Sequence, residues 1–181
     1  MKSGVFIERD GVLNQVRVER QHQMPPITLD EFRLNQALLA PLRKLKAAGF
    51  VLIATTNQPG VCRGYLSRRE LDRMHALLRK FFPLDEILVC PHDETDRCSC
   101  RKPKPGLLVE AAFKWHIDLE RSYIISDKWQ DAEVARTVGA TSLLLHSPWV
   151  GTGHHDLVLP NLAAIADKIL HLHAHPHVLM T

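Results

Sequence analysis

The sequence predicts an α/β protein with a doubly wound parallel sheet, in which helices cover both faces. Two observations predict this fold. Short apolar runs of three to five residues alternate along the chain with segments of helical period. Most of these runs end in polar residues followed by a loop, as the carboxyl ends of buried parallel strands do. The chain has 181 residues, enough for one core, so we expect a single domain over residues 1–181.

The predicted elements alternate between strands and helices. Gly49 follows a leucine-rich segment of helical period and predicts the end of the first helix. Ser67 and Glu70 have the spacing of a capping box, which predicts the start of the second helix. The full series is a strand at 5–7, a loop over 12–34 with a turn at 28–31, a helix over 38–45, a strand at 51–55, a helix over 67–82, a strand at 87–89, an irregular segment over 90–105, a helix over 106–116, a strand at 123–125, a helix over 131–138, a strand at 142–145, a helix over 160–170 that begins at Pro160, and a His-rich tail over 171–181 to which we assign no function.

Composition limits the class of protein. Apolar residues make up 45% of the chain and charged residues 24%, the balance of an ordinary globular protein. The formal net charge is +3, with Lys and Arg scattered among acidic residues, so charge does not indicate binding to nucleic acid. The apolar runs are too short to cross a membrane, and Glu8 comes too early for a secretory leader. We therefore expect a cytoplasmic protein, and nothing in the sequence indicates a protein partner.

A metal site is predicted in the segment 90–105. Cys90 and His92 are followed by Cys98 and Cys100, which together supply three thiolates and one imidazole. This ligand set is typical of tetrahedral structural zinc. The residues between the two pairs are too polar for a buried cluster of thiols. Because the protein fills all four positions, the ion has no open site for water, so we expect it to fix the loop.

Polar side chains follow the predicted strands, at the edge where ligands bind in open α/β sheets. Phosphoryl transfer requires three kinds of group: carboxylates that bind a cation such as Mg²⁺, hydroxyl and amide groups that bind phosphate oxygens, and cationic groups that balance anionic charge. Singly, each has an ordinary structural explanation, such as a charged turn or a helix N-terminus. The set comprises Glu8 and Asp10 after the first strand, Thr56, Asn57 and Gln58 after the second, Arg101 and Lys102 after the predicted zinc ligands, and Asp127 and Asp131 after the fourth strand.

These segments resemble, in order, the motifs of the haloacid dehalogenase superfamily. The resemblance covers roughly residues 4–170. Within the superfamily, the motifs are similar to those of the D-glycero-D-manno-heptose 1,7-bisphosphate phosphatases, and histidinol phosphatases share much of the same pattern. It implies a Rossmann-like fold without a cap domain. The matching segments are FIERDGVLN at 6–14, TNQPGVCRG at 56–64, CPH at 90–92, CSCRKPKPG at 98–106 and SDKWQD at 126–131.

The resemblance implies a Mg²⁺-dependent phosphatase that acts on a small sugar phosphate, most of all the heptose bisphosphate. The first carboxylate of the family motif attacks phosphorus to form an acyl phosphate. Asp10 would protonate the leaving oxygen and later activate water. The other implied roles belong to Thr56 and Lys102 for the phosphoryl oxygens, to Asn57, Gln58 and Arg101 for substrate contacts, and to Glu8, Asp10, Asp127 and the Lys128 main chain for Mg²⁺.

The chain departs from the family at position 8, where Glu8 replaces the nucleophilic Asp. The extra methylene moves the carboxylate by about 1 Å, and a misplacement of that order costs roughly 10²-fold in rate. Two alternatives follow: a phosphatase with reduced turnover, or a relative that binds a phosphosugar without splitting it. Histidinol phosphate and a polynucleotide 3′-phosphate are alternative substrates. Ser126, where the family usually has Gly, and the Trp129-Gln130 pair are smaller departures.

Overall fold

Helices cover both faces of a parallel sheet, as the sequence predicts, but the sheet has six strands, and the three-residue strand at Leu157–Leu159 was not predicted. The computed structural model describes residues 1–175. The strands of this sheet are β1 (Lys2–Glu8), β4 (Val51–Asn57), β5 (Glu86–Cys90), β6 (Ile117–Ser126), β7 (Thr141–Leu145) and β8 (Leu157–Leu159). The other elements are an antiparallel hairpin of β2 (Arg17–Glu19) and β3 (His22–Met24), and the helices α1 (Leu39–Ala47), α2 (Arg68–Phe81), α3 (Gly106–Trp115), α4 (Trp129–Val138) and α5 (Leu162–Ala174). The strand order in the sheet is β5-β4-β1-β6-β7-β8.

Alternating side chains along the strands divide the core into two layers. Val5 and Ile7 of β1 pack in a cluster with residues of α1, α2 and α5. Phe6, which lies between them, packs in a second cluster with residues of α3 and α4. All three side chains are fully buried. Because both faces of the sheet are covered, its strands are nearly continuous apolar runs, which is the signal that predicts them.

The helix ends follow local capping groups. The Ser67 hydroxyl accepts the Glu70 N–H at 3.1 Å and begins α2 where the capping-box spacing predicts it. The prediction that Pro160 begins the last helix is wrong, because the Asn161 side chain caps α5 by accepting the Ala164 N–H at 2.9 Å. Within residues 1–175, no helix has both the length and the apolar character that crossing a bilayer requires.

The predicted His-rich tail begins too early. The last helix runs to Ala174, because Leu172 is buried in the core and the His173 ring lies 4.6 Å from the Phe50 ring, centroid to centroid. Residues 171–174 are therefore helical, and the remainder of the predicted tail, residues 176–181, lies outside the described residues.

The predicted loop over residues 12–34 contains the β2–β3 hairpin, which the sequence analysis missed. Its strands have three residues each, too few to show alternation. Its turn residues, Arg20 and Gln21, have φ angles of 47° and 65°, a conformation that Gly or Asn usually signals. The turn predicted at 28–31 is present as a 3-10 turn over Leu29–Glu31.

The pairing register brings the ends of the central strands to one edge of the sheet. Glu8 at the end of β1 pairs with Thr55 of β4. On the next strand pair, Asn57 of β4 is opposite Cys90 of β5. On the other side of β1, Ile7 is opposite Ile125 of β6, one residue before that strand ends. The polar residues that follow these strands therefore start from neighbouring positions.

We expect the two-layer core to make Phe6 far more important for stability than an exposed Phe. Phe6 is fully buried, whereas Phe113 on α3 is 87% exposed. Phe6→Ala should lower the free energy of unfolding by about 3–5 kcal/mol, and Phe113→Ala should change it by less than about 0.5 kcal/mol. Urea unfolding measures both. Similar shifts of the two midpoints would contradict this description of the core.

Candidate active site

A buried ammonium group lies between two carboxylates at the carboxyl edge of the sheet. Lys102 Nζ donates to the Glu8 carboxylate, to Asp131 Oδ1 at 2.8 Å and to the Thr55 carbonyl at 3.3 Å. The Lys102 side chain is 2% exposed. Burial opposes its charge, but Asp131 and Glu8 outweigh burial and raise the pKa of Lys102. This ion pair ties the segment after the Cys/His residues to β1 and α4.

The Glu8 carboxylate is held in its ionised form. Burial alone would raise its pKa, but the ammonium groups of Lys102 and Lys128 and the Asp10 N–H outweigh burial and hold the pKa of Glu8 at about 2. The Asp10 N–H donates to Glu8 Oε1 at 3.1 Å. At neutral pH, Glu8 therefore presents a charged carboxylate that Lys102 and a main-chain amide orient.

Asp131 supports Lys102 from the opposite side. Its Oδ2 atom accepts a hydrogen bond from Ser126 Oγ at 2.8 Å, and the same hydroxyl oxygen accepts the Lys128 N–H at 3.1 Å. Burial raises the pKa of Asp131, Lys102 opposes this rise and Glu8 adds to it. The Ser126 hydroxyl, at a position where the family usually has Gly, thus links Asp131 to the main chain at the start of α4.

The Asp10 carboxylate is surrounded by hydrogen-bond donors. The fully buried Arg9 donates from Nε to Oδ1 at 3.1 Å and from one terminal nitrogen to Oδ1 and Oδ2 at 2.9 and 3.0 Å. The Asn14 amide donates to Oδ1 at 3.0 Å, and the Gln58 amide donates to Oδ2 at 2.7 Å. With this many donors, the orientation of the carboxylate is fixed by its surroundings.

Oxygen atoms of Asp10 and Asp127 face the same cation. Lys128 Nζ donates to the Asp10 carbonyl and to Asp127 Oδ1 at 2.9 Å, and the Gln23 amide donates to Asp127 Oδ2 at 2.7 Å. Burial opposes the charge of Lys128, but Glu8 and Asp127 outweigh it and raise the pKa of Lys128. Gly11 allows the close approach of Asp127, because a Cβ atom there would lie 2.4 Å from Asp127 Oδ2.

The predicted zinc ligands form one cluster. The ligand atoms of Cys90, His92, Cys98 and Cys100 all lie within 4.8 Å of one another. The Cys90 and Cys98 sulfurs are 3.7 Å apart, and His92 Nδ1 is 3.3 Å from the Cys100 sulfur. Tetrahedral zinc with bonds of about 2.3 Å requires sulfurs about 3.8 Å apart. The four side chains can therefore hold a metal ion of this size.

Three cavities adjoin at this edge; one of about 410 Å³ lies between the β2–β3 turn and Trp149, and the other two share Lys102. The first of these two, which we call the central pocket, has a volume of about 110 Å³. The second, which we call the basic cavity, has a volume of about 310 Å³ and lies between the Cys/His loop and the start of α4. Lys102 and Gln130 line both cavities. The central pocket is also lined by Glu8, Asp10, Asn57, Lys128 and Asp131, and the basic cavity by Arg97, Arg101, Lys104 and Trp129.

The structure divides the other predicted site residues between the pocket wall and the layer behind it. Asn57 lines the central pocket, and its amide bonds to both main-chain groups of Lys102, at 3.1 and 3.2 Å. Thr56 is fully buried and Gln58 is 3% exposed, and the Gln58 amide donates to Thr56 Oγ1 at 2.8 Å. Arg101 lines the basic cavity and donates to Glu94 at 2.6 Å.

Several side chains of the site were not found by sequence reasoning. Arg9 and Asn14 lie inside the first motif, one and four residues from Asp10, and this proximity was the available signal. Gln23 and His75 reach the site from the hairpin and from α2, and neither has a sequence signal. The structure also gives Asp131, whose role the sequence left open, a direct bond to Lys102.

The chain is similar over most of its length to proteins named D-glycero-beta-D-manno-heptose-1,7-bisphosphate 7-phosphatase. The protein of this name from Pseudomonas aeruginosa is 31% identical and covers 93% of this chain and 98% of its own length. The one from Helicobacter pylori is 32% identical and covers 91% of this chain and 95% of its own length.

Solved structures and a family model give the same result. The crystal structure of the D,D-heptose 1,7-bisphosphate phosphatase from B. bronchiseptica with magnesium and phosphate has a TM-score of 0.75 and 27% identity, and covers 94% of this chain and 99% of that chain. A family model described as HAD-hydrolase-like, for haloacid dehalogenase, matches residues 99–170. The chain therefore is a phosphoric monoester hydrolase of the haloacid dehalogenase superfamily and belongs to the same family as the heptose bisphosphate phosphatases.

Proposed function

We propose that the chain is a Mg²⁺-dependent phosphatase of a sugar phosphate, D-glycero-D-manno-heptose 1,7-bisphosphate, and that Glu8 lowers its turnover. The observation that carries this proposal is the central pocket, where an ionised Glu8 carboxylate and the buried Lys102 ammonium lie side by side. A carboxylate is the nucleophile, and an ammonium the oxyanion partner, that phosphoryl transfer through an acyl phosphate needs. The names of the relatives supply the substrate.

The residues at the pocket fit a magnesium ion. Mg²⁺ prefers oxygen ligands, and the Asp10 carbonyl and Asp127 Oδ1 already converge on one cation, the Lys128 ammonium. We assign the ion to Glu8, the Asp10 carbonyl, Asp127 and the Lys128 main chain. When bound, Mg²⁺ would neutralise charge on the phosphoryl oxygens. The Lys128 side chain would then have to leave the two oxygens that it now contacts.

In the proposed reaction, the Glu8 carboxylate attacks phosphorus, and the bond from phosphorus to the sugar oxygen breaks. Asp10 gives its proton to the departing oxygen. Asp10 then takes a proton from water, and that water attacks phosphorus of the acyl phosphate to release phosphate and restore Glu8. Glu8 is one methylene longer than the family residue, so its carboxylate reaches further towards Lys102 and the substrate.

The remaining residues have binding roles in this proposal. Lys102 holds the phosphoryl oxygens, together with Thr56, whose hydroxyl lies buried behind the pocket wall. Asn57 and Arg101 contact the rest of the substrate, and Gln58 acts from behind by orienting Asp10 and Thr56. The central pocket, at about 110 Å³, holds little beyond a phosphoryl group, so the sugar would extend into an adjoining cavity, and we assign it to the basic cavity because of its cationic side chains.

The basic cavity favours a second anionic group. Arg97, Arg101 and Lys104 line it, although Asp93 and Glu94 share the wall. Within residues 1–175, Arg97 has no ion-pair partner. This charge suits the second phosphate of a bisphosphate and opposes the cationic end of histidinol phosphate. The overall charge pattern likewise gives no support to a polynucleotide substrate.

The second candidate function is a phosphosugar-binding protein without turnover. The extra methylene of Glu8 favours it, because the longer carboxylate can still bind Mg²⁺ while its attack on phosphorus is misplaced. In that case, substrate binds in the pocket and no phosphate is released.

We propose zinc as the ion of the Cys/His cluster. Burial raises the pKa of Cys90 to about 12, so a bound cation is needed to hold that sulfur as a thiolate at neutral pH. The ion would fix the loop that presents Arg101 and Lys102. Three clustered thiols and the exposed thiol of Cys62 suit a reducing compartment, which supports a cytoplasmic location.

Restoring the family carboxylate should increase turnover. Glu8→Asp is expected to raise the rate of phosphate release from the heptose bisphosphate with Mg²⁺ by about 10²-fold, because it returns the carboxylate to its attacking distance. Phosphate release is measured for both proteins, with Glu8→Gln as the control that keeps the length and removes the nucleophile.

The outcomes separate the candidate functions. Turnover by the chain itself above that of Glu8→Gln supports the slow phosphatase, and turnover by Glu8→Asp alone supports the binding protein. If none of the three proteins releases phosphate, the phosphatase proposal is wrong.

Removal of one zinc ligand should loosen the loop. Cys100→Ser is expected to lower the bound zinc, measured by elemental analysis, well below one ion per chain, and the melting temperature by roughly 4–8 °C. Cys62→Ser is the matched control, because Cys62 is exposed and lies outside the cluster. Equal zinc content in the two variants would contradict the assignment.

A further inference from the structure

We propose that His75 of α2 is a positioning residue, which holds Asp10 for proton transfer by accepting a hydrogen bond from Arg9. This inference rests on the proposed function, in which Asp10 exchanges a proton with the leaving oxygen and with water. His75 touches neither substrate nor metal ligand in the proposed reaction. Its place in the site comes from one buried chain of contacts, His75 to Arg9 to Asp10.

The Arg9 guanidinium lies between His75 and Asp10. It is fully buried, and Asp10 is its only carboxylate partner within residues 1–175. Its three nitrogens point in two directions: Nε and one terminal nitrogen bond to Asp10, and the other terminal nitrogen lies 3.3 Å from His75 Nε2. The Phe32 ring lies under the guanidinium, 5.6 Å from Arg9 Cζ to the ring centroid.

The contact with Arg9 fixes the protonation state of the His75 imidazole. A guanidinium has only donors, so a hydrogen bond from Arg9 requires His75 Nε2 to be an acceptor. His75 is then neutral, with its proton on Nδ1. Burial, followed by the charges of Arg9, Arg79 and Arg68, lowers the pKa of His75 to about 3, in agreement with this state.

The contacts with His75 and Asp10 restrict the rotation of the Arg9 guanidinium. Without an acceptor on α2, the terminal nitrogen of Arg9 that faces His75 would lose its hydrogen-bond partner. A buried donor without a partner lowers the stability of the protein. The group could then rotate to find another acceptor and would release Asp10. With His75 in place, the guanidinium and the carboxylate have one arrangement, which Asn14 and Gln58 complete.

The constraint matters most when the leaving group needs a proton. In the first step, Asp10 donates its proton to the sugar oxygen as the bond from that oxygen to phosphorus breaks. An acetyl leaving group departs as the carboxylate and needs no proton. Because kcat/KM reports the steps up to departure of the leaving group, only the sugar phosphate should depend on the position of Asp10 in this parameter.

The test compares His75→Leu, which removes the acceptor, with His75→Gln, which places an amide oxygen near the Nε2 position. Both are made in the Glu8→Asp protein and assayed with Mg²⁺ on the heptose bisphosphate and on acetyl phosphate. We expect His75→Leu to lower kcat/KM for the sugar phosphate at least about 10-fold and to change it less than about 3-fold for acetyl phosphate. His75→Gln should recover most of the loss.

A purely structural role for His75 gives a different pattern. It would lower both kcat/KM values together, without recovery by His75→Gln, and that result would overturn the proposal. Equal kcat/KM for the sugar phosphate in all three proteins would overturn it as well.

A measurement that needs no turnover separates this inference from the proposed function. In the chain with its own Glu8, the Arg9 Nε–H should give a sharp NMR signal with slow solvent exchange. His75→Leu should broaden or lose that signal, and His75→Gln should keep it. If Glu8→Asp hydrolyses neither substrate, the proposed function fails, and the Arg9 signal alone then decides whether His75 positions Asp10: an unchanged signal in His75→Leu refutes the inference.

Discussion

The structure of the site depends on the bridge from the Lys102 ammonium to the carboxylates of Glu8 and Asp131. All three groups are almost completely buried, so removing Lys102 would leave two buried carboxylates without their cation, at a cost of about 3–5 kcal/mol. The bridge joins three parts of the chain that are far apart in sequence: the end of β1, the first turn of α4 and the loop that follows the Cys/His cluster. Those parts also supply the central pocket, so the interaction that orders this edge of the sheet also forms the wall of the pocket.

The same bridge explains why the Glu8 substitution is the decisive feature of the chain. The longer side chain still reaches a cation and a main-chain amide, and its pKa of about 2 keeps it charged. A nucleophile needs both charge and position, however, and the structure shows a carboxylate already in contact with the ammonium group that a phosphoryl oxygen would approach. The pocket is lined by three carboxylates and two ammonium groups, so it would need a bound cation before it attracted an anion.

Sequence reasoning found the parts of the structure that rest on local patterns. The apolar runs gave the sheet, and the spacing of Cys90, His92, Cys98 and Cys100 gave a cluster that the structure brings within 4.8 Å. It missed the three-residue strands of the hairpin, where Arg20 and Gln21 occupy a turn that usually carries Gly or Asn. It also missed the supports of Asp10 and Asp127, because His75 and Gln23 reach the site across tertiary contacts of 66 and 104 residues in sequence. Neither residue follows a predicted strand or belongs to a matched motif, so no pattern in the sequence placed it at this edge.

The most direct test of the account is a crystal structure of the chain grown with Mg²⁺ and orthophosphate. We predict a phosphate in the central pocket with an oxygen on Lys102, and a metal ion on Glu8, Asp127, the Asp10 carbonyl and the Lys128 main chain, with the Lys128 ammonium displaced. A structure in which the pocket holds neither ion, and Lys102 keeps its contacts with Glu8 and Asp131, would contradict the claim that this edge of the sheet is a phosphoryl-binding site.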